Sequence, residues 1–187
     1  MKLHIKNMVC NRCKMVVKAE LEKLGFKPLL VELGEVTLAE NISAEDKIKI
    51  SDNLTHFGFE LLEDKKTQIA EQIKTAIINL VHYTKEPLKI NLSAYLSEQL
   101  KLEYTSLSAI FSEMENQTIE KYFIAQKIEK AKEMLTYGEL TLSEIAYQLN
   151  YSSVAHLSAQ FKKVTGITPS VYKAASTDSR KTLDEVK

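Results

Sequence analysis

This chain carries no excess of either charge. Lysine and arginine number 25 and aspartate and glutamate 25, a formal net charge of zero. No global field therefore draws the protein to nucleic acid, and any such affinity must come from local placement of charge. Arginine is scarce: Arg12 and Arg180 are the only two. Cysteine is limited to Cys10 and Cys13, too few for the disulfide framework of a small secreted domain. No apolar run approaches the length of a membrane span, and the opening MKLHIKN lacks the apolar core of a signal peptide. The expectation is a soluble cytoplasmic protein with no membrane partner. No glycine-rich phosphate loop, histidine–carboxylate spacing or nucleophile motif is present, so the pattern points away from an enzyme. With 187 residues, 44% apolar and 27% charged, the chain has the makings of one or two folded domains.

Residues 1–64 read as an α+β unit. Lys2 to Met8 alternates, with Leu3 and Ile5 on one face and His4 and Lys6 on the other, as in a half-buried strand. Cys10-Asn11-Arg12-Cys13 follows, then a helix with Val17, Leu21 and Leu24 on one face, closed by Gly25. Pro28 to Leu33 and Glu35 to Ala39 make two strands about Gly34, a hairpin signal. A second helix opens after Ser43-Ala44-Glu45-Asp46 with Ile50, Leu54 and Phe57 inward, Gly58 stops it, and Phe59 to Leu62 is a last strand. The order βαββαβ is that of a ferredoxin-like sandwich. It puts the C-x-x-C at the first strand-to-helix junction.

Two thiols entering a helix N-terminus feel the positive end of its dipole, and Arg12 adds a charge. Both favour thiolate, the form that binds soft metals. Met8-Val9-Cys10-Asn11-Arg12-Cys13 resembles the M-x-C-x-x-C of heavy-metal-associated domains, found in copper chaperones and in the N-terminal tails of metal-transporting P-type ATPases. His56-Phe57-Gly58-Phe59 matches the G-Y or G-F turn of those domains. The resemblance implies Cys10 and Cys13 as ligands, Met8 packed under the loop and Phe59 shielding the site. Asn7, where glycine is usual, is the main departure. Two thiolates suit Cu(I) first, because it accepts low coordination. Zn(II) or another thiophilic ion would need further ligands, for which His4 and His56 are nearest in sequence, or a second chain sharing the ion. A thiol–disulfide switch is the competing reading of the same pair.

Lys65-Lys66-Thr67 is a polar joint, and residues 65–83 form a connecting helix in which Ile69, Ile73, Ile77, Leu80 and Val81 keep a helical period. Glu86-Pro87-Leu88 ends it with a bend. The all-α segment 84–175 then repeats one design twice. From Asn91 to Gln117, Leu92, Leu96 and Leu100 build a helix, Leu102 packs the turn, and Leu107, Ile110 and Phe111 line the next helix. Thr118 opens a long helix to about Tyr137, with Tyr122, Ile124, Ile128, Ala131 and Leu135 apolar. The second copy is sharper. Thr141-Leu142-Ser143-Glu144 is a capping box, Leu142, Ile145, Ala146 and Leu149 form a stripe, and Asn150 closes the helix. Another helix opens near Ser152 or Ser153 with Leu157, Phe161 and Val164 inward, and Thr168-Pro169 caps a third. The tail 176–187 is polar, mixed in charge and expected to fray.

Two short helices about a tight turn can set the second in a DNA major groove, though a plain three-helix packing unit has the same spacing. The series SEIAYQLNYSS…HLSAQFKKVTGITPSVY resembles the signature of the AraC/XylS family of transcription regulators. It departs at Asn150, usually glycine there, and at Ala159, often a base-reading arginine. The resemblance implies a double helix-turn-helix that binds double-stranded operator DNA, with a homodimer and RNA polymerase as further partners. The two copies differ in charge. Asn91 to Gln117 holds Lys101 against Glu98, Glu103, Glu113 and Glu115, net −3; Glu144 to Lys173 holds Lys162, Lys163 and Lys173 against Glu144, net +2. Because phosphate neutralisation drives affinity, the second copy is expected to bear most of it, through Ser152, Ser153, Ala155, His156, Ser158, Ala159, Gln160, Lys162 and Lys163. The first would add Thr105, Ser106 and Ser108. Simple solvent exposure is the alternative for each of these residues, and packing on Tyr151 an alternative for His156. With no arginine there to read guanine, an A·T-weighted half-site follows.

The expectation is a regulator whose DNA binding responds to a soft metal ion. A metal chaperone or buffer with a helical docking module, and a thiol-redox regulator, are the alternatives.

Overall fold

The computed structural model describes residues 1–84, 90–175 and 182–186. The chain divides into two compact units, Met1–Thr75 and Ala76–Lys187. The division falls inside a helix, several residues past the polar joint.

In the first unit β1 (Lys2–Lys6), α1 (Asn11–Lys23), β2 (Pro28–Glu32), β3 (Glu35–Leu38), α2 (Ala44–Thr55) and β4 (Glu60–Leu62) follow the expected order. The strands form one antiparallel sheet, β2-β3-β1-β4, with Leu3 opposite Val36 and His4 opposite Leu62. Alternation turns Leu3, Ile5, Val36 and Leu38 to one face, where they meet Val17 and Leu21 of α1 and Ile50 and Leu54 of α2. β1 stops short of the expected Met8 because Asn7 takes φ +69°. Its side-chain amide donates to the Gly58 carbonyl at 2.9 Å, fastening the start of the cysteine loop to the turn before β4. Gly34 (φ +75°) makes the hairpin turn, and a Cβ there would stand 3.0 Å from Thr75 Oγ1.

Two residues expected in this core lie outside it. Leu24 is the C-cap of α1 and is exposed. Phe57 is 49% exposed: α2 ends at Thr55, so Phe57 sits in the turn closed by Gly58, off the helical period. Phe59 is the buried ring.

α3 (Lys65–Ile78) starts with Asp64 accepting from the Thr67 N–H at 2.8 Å, and its end widens into a π-helical turn, Asn79–Tyr83. Ile73, Ile77 and Val81 are buried as expected. The bend assigned to Glu86-Pro87-Leu88 lies outside the described residues.

The second unit contains α4 (Leu92–Leu100), α5 (Tyr104–Glu115), α6 (Ile119–Tyr137), α7 (Leu142–Gln148), α8 (Val154–Thr165) and α9 (Pro169–Ala174). Side-chain caps open five of them: Asn91, Thr118, Thr141 with its full capping box, Ser153 and Thr168. Lys101 and Asn150 take left-handed backbone at equivalent places in the two turns. α6 runs through the middle, touching α5, α8, α9 and the π-helical turn. Its Ile128, Ala131 and Leu135 pack with Ile145, Ala146, Leu149, Leu157, Phe161 and Tyr172. So much of α6 is enclosed that Gln126, Lys127, Glu129 and Lys132 are buried too.

Three expectations fail here. Leu102 is exposed, lying beyond the left-handed Lys101 and outside either helix. Val164 is 48% exposed, because one turn beyond Phe161 the inward position belongs to half-buried Thr165. The tail is held over residues 182–186: the Leu183 carbonyl accepts from the Gln126 amide at 3.5 Å, and Val186 is buried.

Candidate nucleic-acid interface and candidate metal site

Cys10 is the N-cap of α1, and Cys13 stands in its first turn with the two Sγ atoms 3.2 Å apart. Both are free thiols and half-buried. Burial pushes the Cys10 thiol up, but hydrogen bonds from Cys13, the Arg12 N–H and the Arg12 charge outweigh it and hold Cys10 below its ordinary value. Burial and the neighbouring Cys10 raise Cys13. The two sulfurs are thus shifted in opposite directions, Cys10 toward thiolate and Cys13 away from it. Met8 is buried, as is Phe59, whereas His56 turns its Nδ1 to the Asp52 carbonyl at 2.7 Å and His4 lies 3.8 Å from Glu35. Among the described residues no three His, Cys, Asp or Glu side chains gather as a metal site. The side chains brought together at this loop are two thiols.

On α8 the core side is Leu157 and Phe161, and a helix turning 100° per residue carries the opposite side to solvent. Ser152, Ser153, Ala155, His156, Ala159, Lys162 and Lys163 are all exposed there. Ser158 and Gln160 are half-buried, at the flanks of that face. Ser153 already accepts from the His156 N–H at 3.1 Å as the helix cap. His156 stacks edge-on against Tyr151, centroids 5.2 Å apart, and shares a 3.1 Å hydrogen bond with Ser152. On α5, Thr105 and Ser106 are exposed and Ser108 half-buried. Of the two helices, only α8 carries lysines.

Residues 96–175 match the model of a family described as a helix-turn-helix domain. The chain is 26% identical over 123 residues to the uncharacterized HTH-type transcriptional regulator YdeC of Bacillus subtilis, covering 65% of this chain and 41% of that protein. It is 28% identical over 105 residues to a putative AraC-like transcription regulator of Streptomyces lividans, covering 56% and 34%. The C-terminal domain of AraT, a response regulator from Geobacillus stearothermophilus, aligns with a TM-score of 0.52 at 24% identity, over 64% of this chain and 94% of that one. The helical unit is a helix-turn-helix domain that resembles the DNA-binding domains of AraC-type regulators. The chain spans less than half the length of these curated relatives.

In this helix-turn-helix domain the turn before α8 is held from behind by a residue the spacing did not single out. Lys127 of α6 places its ammonium 3.7 Å from the centre of the Tyr151 ring and 5.3 Å from that of Phe123. Next to it His82 shares a 2.9 Å hydrogen bond with Gln126, which also donates to the Tyr122 hydroxyl at 2.9 Å. The only signal in the sequence is a lysine between apolar positions of a long helix, which reads equally well as solvent-facing.

Proposed function

We propose that this chain is a transcription regulator that reads operator DNA through α8, with a lesser part for α5, and that answers to a soft metal ion. In this reading the first unit is a ferredoxin-like, heavy-metal-associated domain, and Cys10 and Cys13 hold the ion, Cu(I) before Zn(II). What supports it is the joint presence in one chain of a helix-turn-helix domain resembling AraC-type readers and of two thiols 3.2 Å apart at a helix N-terminus, with Cys13 packed against the core cluster that includes buried Met8. A two-thiol donor set matches the low coordination that Cu(I) accepts. A bound soft ion supplies positive charge that keeps both sulfurs as thiolates. Asn7 holds the loop to Gly58, and the N–H of Arg12 steadies the Cys10 sulfur. Metal and DNA binding are coupled to the extent that one ligand prefers an arrangement the other also prefers.

On the DNA side Lys162, Lys163 and Lys173 neutralise phosphates. Ala155 and Ala159 meet thymine methyls, and Gln160 pairs with adenine, which weights the half-site toward A·T. The acidic α4–α5 pair adds few contacts, so a homodimer is the natural way to reach firm binding. The test is selection from a genomic fragment pool at fixed salt with Cu(I), with Zn(II) and with chelator. Enrichment that changes with one ion, and fails to change in the Cys10→Ser/Cys13→Ser variant, is the expected result. Enrichment indifferent to ions and cysteines refutes the metal half, and absence of enrichment under every condition refutes the DNA half.

The 3.2 Å approach of two free thiols favours one second reading, a thiol–disulfide switch formed by Cys10 and Cys13. DNA binding that follows oxidant and reductant, and ignores metal, would select it.

A further inference from the structure

Within the second unit, a cavity of about 170 Å³ opens beside the turn that precedes α8. Leu80, Val81, Phe123 and Leu149 give it apolar walls, and Asn91, Gln148 and Lys127 also line it. A cavity of roughly 150 Å³ accommodates benzene, so the space suits a ring or a short alkyl chain.

Lys127 decides which chemistry belongs there. It is as buried as Lys132 on the same helix, each 9% exposed. Lys132 is paired with Glu129 at 3.0 Å. Lys127 has no carboxylate partner among the described residues and meets only the faces of Tyr151 and Phe123. Ring faces offset part of the cost of burying an ammonium, but a buried cation ordinarily has a counter-anion. Here the position for that anion is the cavity.

We propose that this cavity binds a small carboxylate with an apolar body, its carboxylate on Lys127 and its ring or chain against Val81, Phe123 and Leu149. The site is distinct from the thiol pair and stands whether or not that pair binds metal. It is also connected to the DNA face. Leu149 and Asn150 belong to the turn before α8, and the Tyr151 ring that meets Lys127 packs on its other contact against His156 in the first turn of α8. A ligand that repositions Lys127 therefore acts on the setting of α8.

The experiment is titration of the full chain with benzoate and with hexanoate, followed by calorimetry and ligand-observed NMR, with benzyl alcohol as the neutral control. Saturable binding of benzoate is expected, weakened roughly tenfold or more for benzyl alcohol and in Lys127→Met. Leu80→Trp, which fills the cavity and leaves the ammonium in place, is expected to abolish it, and serves alone if Lys127→Met disturbs the circular dichroism spectrum. The Cys10→Ser/Cys13→Ser variant is expected to bind benzoate as the wild type does, which separates this site from the metal reading. Absence of saturable binding, equal binding by benzyl alcohol, or full retention in the folded variants overturns the proposal.

Discussion

Four residues other than glycine hold left-handed backbone among those described: Asn7, Lys101, Asn116 and Asn150. Asparagine tolerates this conformation better than most residues, and the Asn7 side-chain amide is further held by the distant Gly58 carbonyl. Lysine has no such compensation. Lys101→Gly is therefore expected to stabilise the domain by about 1 kcal/mol, seen as a raised urea midpoint at constant slope. A lowered midpoint would mean that the Lys101 side chain contributes more than its backbone costs. Lys127 carries a second testable consequence. Burial lowers it from its ordinary 10.5 to about 8, and the rings facing it bring no competing charge, since burial also pushes the Tyr151 hydroxyl up to about 12. Between those two lysine values the unfolded chain binds the proton and the folded chain has shed it, so stability rises with pH across about 8 to 10.5. Comparing melting curves of wild type and Lys127→Met over that range checks the sign: the rise should be missing in the variant.

At the scale of elements, α8 is where fold and proposed function meet. Its cap, core side and open side come from one short stretch, so the open side can be changed without touching the other two. Lys162 is exposed and outside the core cluster. Lys162→Glu is expected to weaken operator binding roughly tenfold or more and to leave the melting temperature near that of wild type. Equal DNA binding by this variant would move the reading face elsewhere. The α4–α5 pair has the same outline without the charge: its exposed Thr105 and Ser106 come with Glu113 and Glu115 on the same helix.

For the whole molecule, zero net charge bears on how DNA would be held. With Lys162, Lys163 and Lys173 as the principal phosphate contacts, the logarithm of affinity should fall against the logarithm of salt with a slope of about −3 per chain. A slope several times steeper, measured by fluorescence anisotropy across salt, would require a far wider basic surface than α8 and α9 present. The described residues contain no helix long and apolar enough to cross a membrane.

What could be read from the chain alone were features closed within a few residues. The capping box at Thr141, the helix start near Ser152 or Ser153, the Thr168 cap, the stops at Gly25 and Gly58 and the C-x-x-C at a strand-to-helix junction all depend on neighbours in sequence, and all recur in the structure. Tertiary structure decided which faces were covered. Phe57 and Val164 kept a plausible apolar period yet sit where no element covers them, while Val186, in a polar tail, is buried. Lys127 is the clearest case. Nothing in the residues around it separates it from the solvent-facing lysines of an ordinary helix. Its burial, ring contacts and lowered pKa arise because α6 is enclosed by elements distant in sequence, and enclosure of that kind is a property of the packed chain.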